Sequence, residues 1–168
     1  SVAVPQMSGG RGGPESGAAY LKVAADYPKS RAAARAVLLA AGNLFAEGKY
    51  TEAKAQFDRF TREYGNSPLM AQALLGSAAS LDALGKTNEA ITAYNNLIRQ
   101  YPGENVVSQA RFALGRLYET QNDPEKAVDR LKKAVTLGYD HWEQLKADPD
   151  LENIRGTDYF KNLIKISP

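Results

Sequence analysis

The chain has 168 residues, of which 43% are hydrophobic and 24% are charged, and its formal net charge is +2. This length fits one domain with a sizeable core. The near-neutral charge gives no reason to expect a nucleic acid or an anionic membrane surface as a partner. The lack of cysteine excludes disulfides, thiol catalysis and thiolate metal sites.

The first residues differ in composition from the rest of the chain. Residues 1–14 contain a Gly/Ser-rich run from Ser8 to Pro14, and we predict a flexible linker or tag remnant there. A phosphate-binding glycine loop is disfavoured because such a loop needs a preceding strand and a following helix. No apolar run approaches the length that crosses a bilayer. Because the chain begins with Ser1, we expect a processed or truncated product, with a possible signal or membrane anchor upstream.

A spacing of 37 residues organises the chain between residues 15 and 138. It separates Ala53 from Ala90 and Ala90 from Ala127. The same spacing relates three further sets, which are Tyr27, Tyr64 and Tyr101; Tyr20, Phe57, Tyr94 and Leu131; and Leu44, Leu81 and Tyr118. A period in this range is typical of stacked helical repeats.

Two amphipathic helices fill each period, on either side of a short break. Apolar residues recur at three- and four-residue steps over 71–84 and again over 90–101. Gly85 follows the first of these runs, where a left-handed residue ends a helix, and Gly48 and Asn122 occupy the same position. Short connections make the paired helices antiparallel neighbours. We therefore predict a lone helix at 15–27 and helix pairs at about 31–64, 68–101 and 105–137.

The last segment, residues 139–168, loses the repeat pattern and is predicted to form a C-terminal cap. A solenoid needs such a cap because its final helix pair otherwise exposes an apolar face. The cap core is assigned to six apolar residues, Trp142, Leu145, Leu151, Ile154, Phe160 and Leu163.

The order of small, aromatic and glycine residues in each period resembles the tetratricopeptide repeat. The matching positions are Gly48, Tyr50, Ala53 and Phe57; Ala78, Leu81, Gly85, Ala90, Tyr94 and Pro102; and Gly115, Tyr118, Ala127 and Ala134. The period departs from the usual length of about 34. The tryptophan expected early in the first helix is replaced by Val37, Leu74 and Arg111. Long loops after Tyr64 and Tyr101 resemble the bacterial cell-envelope branch, such as ancillary translocon subunits and Tol–Pal accessory proteins.

This resemblance implies an all-α, right-handed α-solenoid of tetratricopeptide-like helix pairs with a short helical C-terminal cap. It also implies that the first helix of each pair lines a concave groove that holds a protein or peptide partner. The repeat register places these groove positions at Arg35, Leu38, Gly42, Phe45, Gln72, Leu75, Ala79, Asp82, Gln109, Phe112, Arg116 and Glu119. Chaperone-binding members of the family hold a peptide carboxylate with polar residues at two of these positions. Leu38 and Gly42 stand there in this chain, so binding of a peptide carboxylate in that way is not expected.

The sequence contains no recognisable catalytic motif, and we expect neither enzyme activity nor a cofactor. His141 is the only histidine, and no motif supplies the nucleophile or carboxylate that a catalytic histidine needs. Asp148, Asp150 and Glu152 lack the glycine and remaining ligands of a calcium loop, so no metal site is predicted.

Two functional hypotheses are consistent with these features of the sequence. The first is a non-catalytic interaction scaffold that binds a partner in the groove, in the periplasm or anchored to the membrane and facing it, and otherwise in the cytoplasm. The second is a self-assembling structural protein whose exposed lone helix at 15–27 docks on another copy. The first predicts a monomer or a weak homo-oligomer, and the second predicts association that depends on concentration.

Overall fold

The computed structural model describes residues 14–121 and 124–165, and the regular secondary structure of these residues is all helical. The helices are α1 (Pro14–Asp26), α2 (Arg31–Ala46), α3 (Tyr50–Glu63), α4 (Met70–Ala83), α5 (Thr87–Gln100), α6 (Val106–Thr120), α7 (Pro124–Thr136), α8 (Trp142–Ala147), α9 (Glu152–Arg155) and α10 (Asp158–Lys165), with a 3-10 turn at Pro149–Leu151. The predicted all-α solenoid is confirmed. Of the linker expected at 1–14, residues 1–13 lie outside the described residues, as does the expected turn at Asn122, and Pro14 is the first residue of α1.

Each helix packs mainly against its neighbours in the chain. The contacts of α2 with α3, α4 with α5 and α6 with α7 form three pairs, and α3–α4 and α5–α6 contacts join the pairs. α4 also touches both α2 and α6, so the first helices of the pairs form one layer. Nearest-neighbour packing of this kind is typical of a solenoid.

The ends of α2 and α4 share one backbone geometry, set by a glycine in the left-handed region. Gly48 has a φ of 76° and Gly85 a φ of 71°. The amide of the following lysine, Lys49 or Lys86, donates to the carbonyl of Leu44 or Leu81 at 2.9 Å in both cases. These bonds satisfy carbonyls that the helix end leaves open, which confirms the glycine stop predicted at both positions.

Small residues allow the paired helices to approach closely. Ala53, Ala90 and Ala127 are fully buried at equivalent positions of the second helices. A Cβ atom on Gly115 of α6 would lie 2.8 Å from the Leu131 side chain of α7. Helices α6 and α7 can therefore approach each other this closely only because Gly115 has no side chain.

The C-terminal segment covers the apolar face of α7. Five of its apolar residues are buried in one cluster with Ala127, Leu131 and Ala134, and Trp142 packs half-buried at the margin. The five are Leu145, Leu151, Ile154, Phe160 and Leu163. This packing removes from water the surface that the last helix pair would otherwise expose.

The opposite end of the solenoid is less covered. Val23 is 38% exposed and Tyr27 is 63% exposed, whereas Phe60 and Tyr64, their equivalents one period later, are buried. The difference arises because α3 packs between α2 and α4, while α1 packs mainly against a single helix, α2. Leu39 of α2 is also half exposed.

Candidate functional site

An apolar pocket of about 230 Å³ opens between the first helices α2 and α4. Its walls are Leu38, Gly42 and Phe45 from α2, with Gln72, Leu75, Gly76 and Ala79 from α4 and the Phe57 ring from α3. The Phe45 ring is held against Tyr50 in an edge-to-face contact, with 5.1 Å between the ring centroids. The pocket thus has a largely aliphatic and aromatic lining, in which the contact with Tyr50 holds the Phe45 ring in place.

A larger polar cavity of about 530 Å³ lies beside it, between the N-terminal halves of α4 and α6. Polar groups from both helices line it, including Gln72, Ser108 and Gln109, and Glu104 borders it from the loop before α6. The loop at 138–141 closes its far side and brings Tyr139, Asp140 and His141 to the rim. Asp140 and His141 approach each other at 3.2 Å and both are largely exposed.

Gln72 and Leu75 border both cavities, so the two are adjoining parts of one depression. We call this depression the first-helix groove. Gln72 is exposed and Leu75 is half-buried. Of the residues predicted for the groove, Leu38, Phe45, Gln72, Leu75 and Gln109 meet in this groove, together with Gly42 and Ala79.

Arg35 lies away from these two cavities. It lines a third depression, near the start of α2, together with Lys29, Arg31 and Glu63. All three cationic side chains are exposed. This third depression therefore carries three basic side chains and one acidic one.

The prediction that Phe112 faces an open groove is wrong. Phe112 is only 6% exposed, and its ring stacks on the ring of Tyr139 with a centroid distance of 4.4 Å and an interplanar angle of 15°. Leu75 and Leu38, one and two periods earlier respectively, border a cavity instead. The difference arises because the C-terminal segment returns over the third repeat and fills the space in front of Phe112.

Tyr139 is held in this position by its hydroxyl group as well as by its ring. The hydroxyl lies 3.1 Å from Oε1 of Gln144, to which it donates a hydrogen bond. Burial raises the pKa of Tyr139 to about 12, and the nearby Asp148 carboxylate adds to this effect. The neutral phenol is therefore the stable form in the folded chain.

Asp82 and Arg116 were predicted as groove contacts for a partner, but they bind each other. An Nη atom of Arg116 donates to the Asp82 carboxylate at 2.8 Å, and Nε lies 3.8 Å from the Asp148 carboxylate. These contacts connect α4, α6 and the C-terminal segment. Tyr94 is buried nearby, and burial, with the Asp82 charge second, raises its pKa.

Glu119 was also predicted to line the groove, and the structure contradicts this. It is 3% exposed near the end of α6, within the protein rather than at a surface. The register places Phe45, Asp82 and Glu119 at equivalent positions, but only Phe45 borders a described cavity. Equivalent register therefore does not give equivalent exposure.

Sequence reasoning missed the groove residues that come from outside the first helices, among them Phe57, Glu104, Tyr139, Asp140 and His141. One signal could have found part of this set. Residues 138–141 stand one period after 101–104, so the register already placed them beside the start of the next layer. The repeat period therefore contained information about the rim of the groove.

Two further observations concern the described residues. No three or more metal-ligating side chains lie together among them. None of the helices among them is both long and apolar enough to span a membrane.

Comparison with known sequences defines the repeated units. Two sequence profiles described as tetratricopeptide repeat match residues 35–67 and residues 69–138. Both segments are tetratricopeptide repeats. No curated protein sequence matches the chain.

Two solved structures have a similar fold. The structure described as Crystal structure of MamA is 18% identical, with a TM-score of 0.66, and the match covers 89% of this chain and 82% of that one. The structure described as MamA MSR-1 C2 is 21% identical, with a TM-score of 0.55, and the match covers 72% of this chain. This chain spans 64% of the length of the MamA MSR-1 C2 chain. At these identities the likeness concerns the fold alone.

Proposed function

We propose that this tetratricopeptide chain is a non-catalytic scaffold that binds a peptide segment of a partner protein in the first-helix groove. The observation that supports it is the continuity of the apolar pocket with the polar cavity through Gln72 and Leu75. Concave sites that combine an apolar surface with a few polar groups suit peptide segments. The repeats themselves belong to a family of protein-interaction modules.

A peptide library tests this proposal without assuming a partner. Random decapeptides displayed on phage are selected on the immobilised chain, and the affinity of enriched peptides is measured by fluorescence anisotropy. Gln72→Trp places a large side chain at the border of both cavities, and we expect it to abolish most of the binding. Since Gln72 is exposed, the change leaves the core intact.

Gln100→Trp is the matched control, because Gln100 is exposed at the end of α5 and borders none of the described cavities. Its peptide affinity should equal that of the parent chain. Thermal melting of both variants checks that they fold alike. If the selected peptides bind the Gln72→Trp variant as tightly as the parent, groove binding is wrong.

Self-association through α1 is a second candidate, and the exposure of Val23, Tyr27 and Leu39 favours it. An apolar surface at the end of a solenoid can be covered by another copy. Light scattering after size-exclusion chromatography should then show a concentration-dependent oligomer that a Val23→Ser, Tyr27→Ser variant lacks. A monomer at all concentrations would contradict this candidate.

We also propose a location at the bacterial cell envelope, either in the periplasm or at a membrane anchor that faces it. The support for this location is the resemblance of the long loops after Tyr64 and Tyr101 to envelope members of the family. Fractionation of cells that express the natural gene is the test, and recovery only in the cytosolic fraction would contradict it.

A further inference from the structure

The apolar pocket contains a glycine that packing does not require. Gly42 is exposed in the interior of α2, and a Cβ atom added there would meet no heavy atom within 4 Å. Gly76, on the opposite wall, is different because its Cβ atom would lie 2.3 Å from the Phe57 ring. A glycine inside a helix is less stable than an alanine. Gly42 therefore lowers helix stability and leaves space open in the pocket.

The surroundings of this space define what could occupy it. Leu38, Phe45, Leu75 and Ala79 form apolar walls. A charged group would lose its hydration there without gaining a partner, whereas a bulky aliphatic or aromatic side chain would bury apolar surface. The volume of about 230 Å³ accommodates one such side chain rather than a whole peptide.

The adjoining polar cavity adds a charge preference. Glu104 and Asp140 place two exposed carboxylates at its border, and none of the residues that line it is lysine or arginine. His141 also lies at this border, 3.2 Å from Asp140. The two carboxylates favour a cationic side chain over an anionic one. The basic residues Lys29, Arg31 and Arg35 line the separate depression near the start of α2.

We propose that the first-helix groove selects a peptide segment in which a bulky apolar side chain is followed or preceded within a few positions by lysine or arginine. The apolar side chain fills the space left open by Gly42, and the cationic group lies between Glu104 and Asp140. This specificity rests on the proposed function of the groove.

The same phage library of random decapeptides tests the specificity, because its enriched sequences report what the groove prefers. On the parent chain we expect enrichment of peptides that pair an aliphatic or aromatic residue with a nearby basic one. Glu104→Lys combined with Asp140→Lys reverses the charge of the polar cavity. On this double variant the enriched peptides should become acidic, and the parent's best peptide should bind about tenfold more weakly.

Gly42→Leu tests the apolar half of the proposal by filling the pocket from within. The best peptide should bind this variant about thirtyfold more weakly, the loss expected when a central hot-spot contact is removed. Ala79→Leu is a second blocking variant in case the first perturbs folding. Ala55→Leu is the control, since Ala55 is exposed on α3 and borders none of the described cavities.

The outcomes distinguish the proposed peptide specificity from the proposed binding of peptides in the groove. If the charge-reversed variant selects the same peptides as the parent, or if both pocket-blocking variants retain full affinity, the specificity is wrong. Groove binding itself would still stand if Gln72→Trp abolishes the interaction. If Gln72→Trp has no effect, or no peptide is enriched on the parent, both the groove function and the specificity fail.

Discussion

Gly42 and Gly76 face the same pocket from the interiors of two first helices, but only Gly76 touches a ring. A Cβ atom on Gly76 would lie 2.3–2.7 Å from three atoms of Phe57. Gly76→Ala should therefore force the ring or the helix to shift and lower the free energy of unfolding by about 1–3 kcal/mol. Urea denaturation monitored by circular dichroism measures this loss.

Gly42→Ala is the natural comparison, because it makes the same substitution at a position with open space. It should raise the free energy of unfolding by about 0.5–1 kcal/mol, since alanine loses less conformational freedom in a helix than glycine does. Equal effects of the two substitutions would contradict the different surroundings described for the two glycines.

Tyr139 gives a prediction for alkaline pH. Its pKa is about 12 in the folded chain and near 10 in the unfolded chain. As the pH rises from 10 to 12, the unfolded chain loses the phenolic proton while the folded chain keeps it, so stability falls. The contribution of Tyr139 is fully present below pH 10 and is lost as the pH passes 12.

Tyr139→Phe should make this alkaline loss shallower, because the variant keeps the ring that stacks on Phe112 but has no proton to lose. At neutral pH the variant should unfold about 0.5–1.5 kcal/mol more easily, through loss of the hydrogen bond to Gln144. Denaturation curves at pH 8, 10 and 11.5 measure both effects. Tyr94, whose pKa is also raised by burial, should preserve part of the pH dependence. Parallel pH profiles of parent and variant would contradict the assignment.

At the scale of single helices, the start of α2 depends on one side chain. The Ser30 hydroxyl oxygen accepts a hydrogen bond from the amide of Ala33 at 3.0 Å and donates one to the carbonyl of Tyr27 at 2.7 Å. Ser30→Ala should lower the free energy of unfolding by about 1 kcal/mol. Ser30→Asp is the control, since it loses the bond to Tyr27 but keeps an acceptor for Ala33. If both variants lose the same stability, capping is not the cause.

The helical elements were largely predictable because their signals are local. The 37-residue spacing and the left-handed glycines at positions 48 and 85 depend on residues close in sequence. The exposure of groove positions was less predictable. Leu75 and Phe112 hold the same register, yet only Phe112 is covered by Tyr139, which comes from outside the repeats. Likewise, the ion pair of Asp82 with Arg116 depends on how two repeats stack, which no single repeat specifies.

At the scale of the whole molecule, the two ends of the solenoid differ in how far their apolar surfaces are covered. The C-terminal segment buries Leu131 and Ala134 of α7, whereas Val23 and Tyr27 of α1 remain exposed. The first-helix groove lies between these ends, and Tyr139 and Asp140 from the C-terminal loop form part of its rim. The cap therefore contributes both to the stability of the last repeat and to the shape of the groove.

Deletion of residues 139–168 tests the structural part of this role. The stability of a solenoid is close to a sum of repeat and interface contributions, so loss of the last interface should weaken the end next to it first. Hydrogen exchange should accelerate in α7 and α6 while α2 and α3 remain protected. The newly exposed cluster around Leu131 should also promote association, which light scattering after size-exclusion chromatography detects.

Phe160→Ala separates loss of cap packing from loss of the whole segment. Phe160 is fully buried against the cluster on α7, and its truncation should lower the free energy of unfolding by about 3–5 kcal/mol if the cap unfolds together with the repeats. If the cap instead opens alone, exchange should accelerate in α8–α10 while α7 keeps its protection. In that case the cap would shield the last repeat without contributing to its cooperative unfolding. A deletion variant that stays monomeric and melts like the parent would contradict both versions, because the apolar face of α7 would then be stable in water.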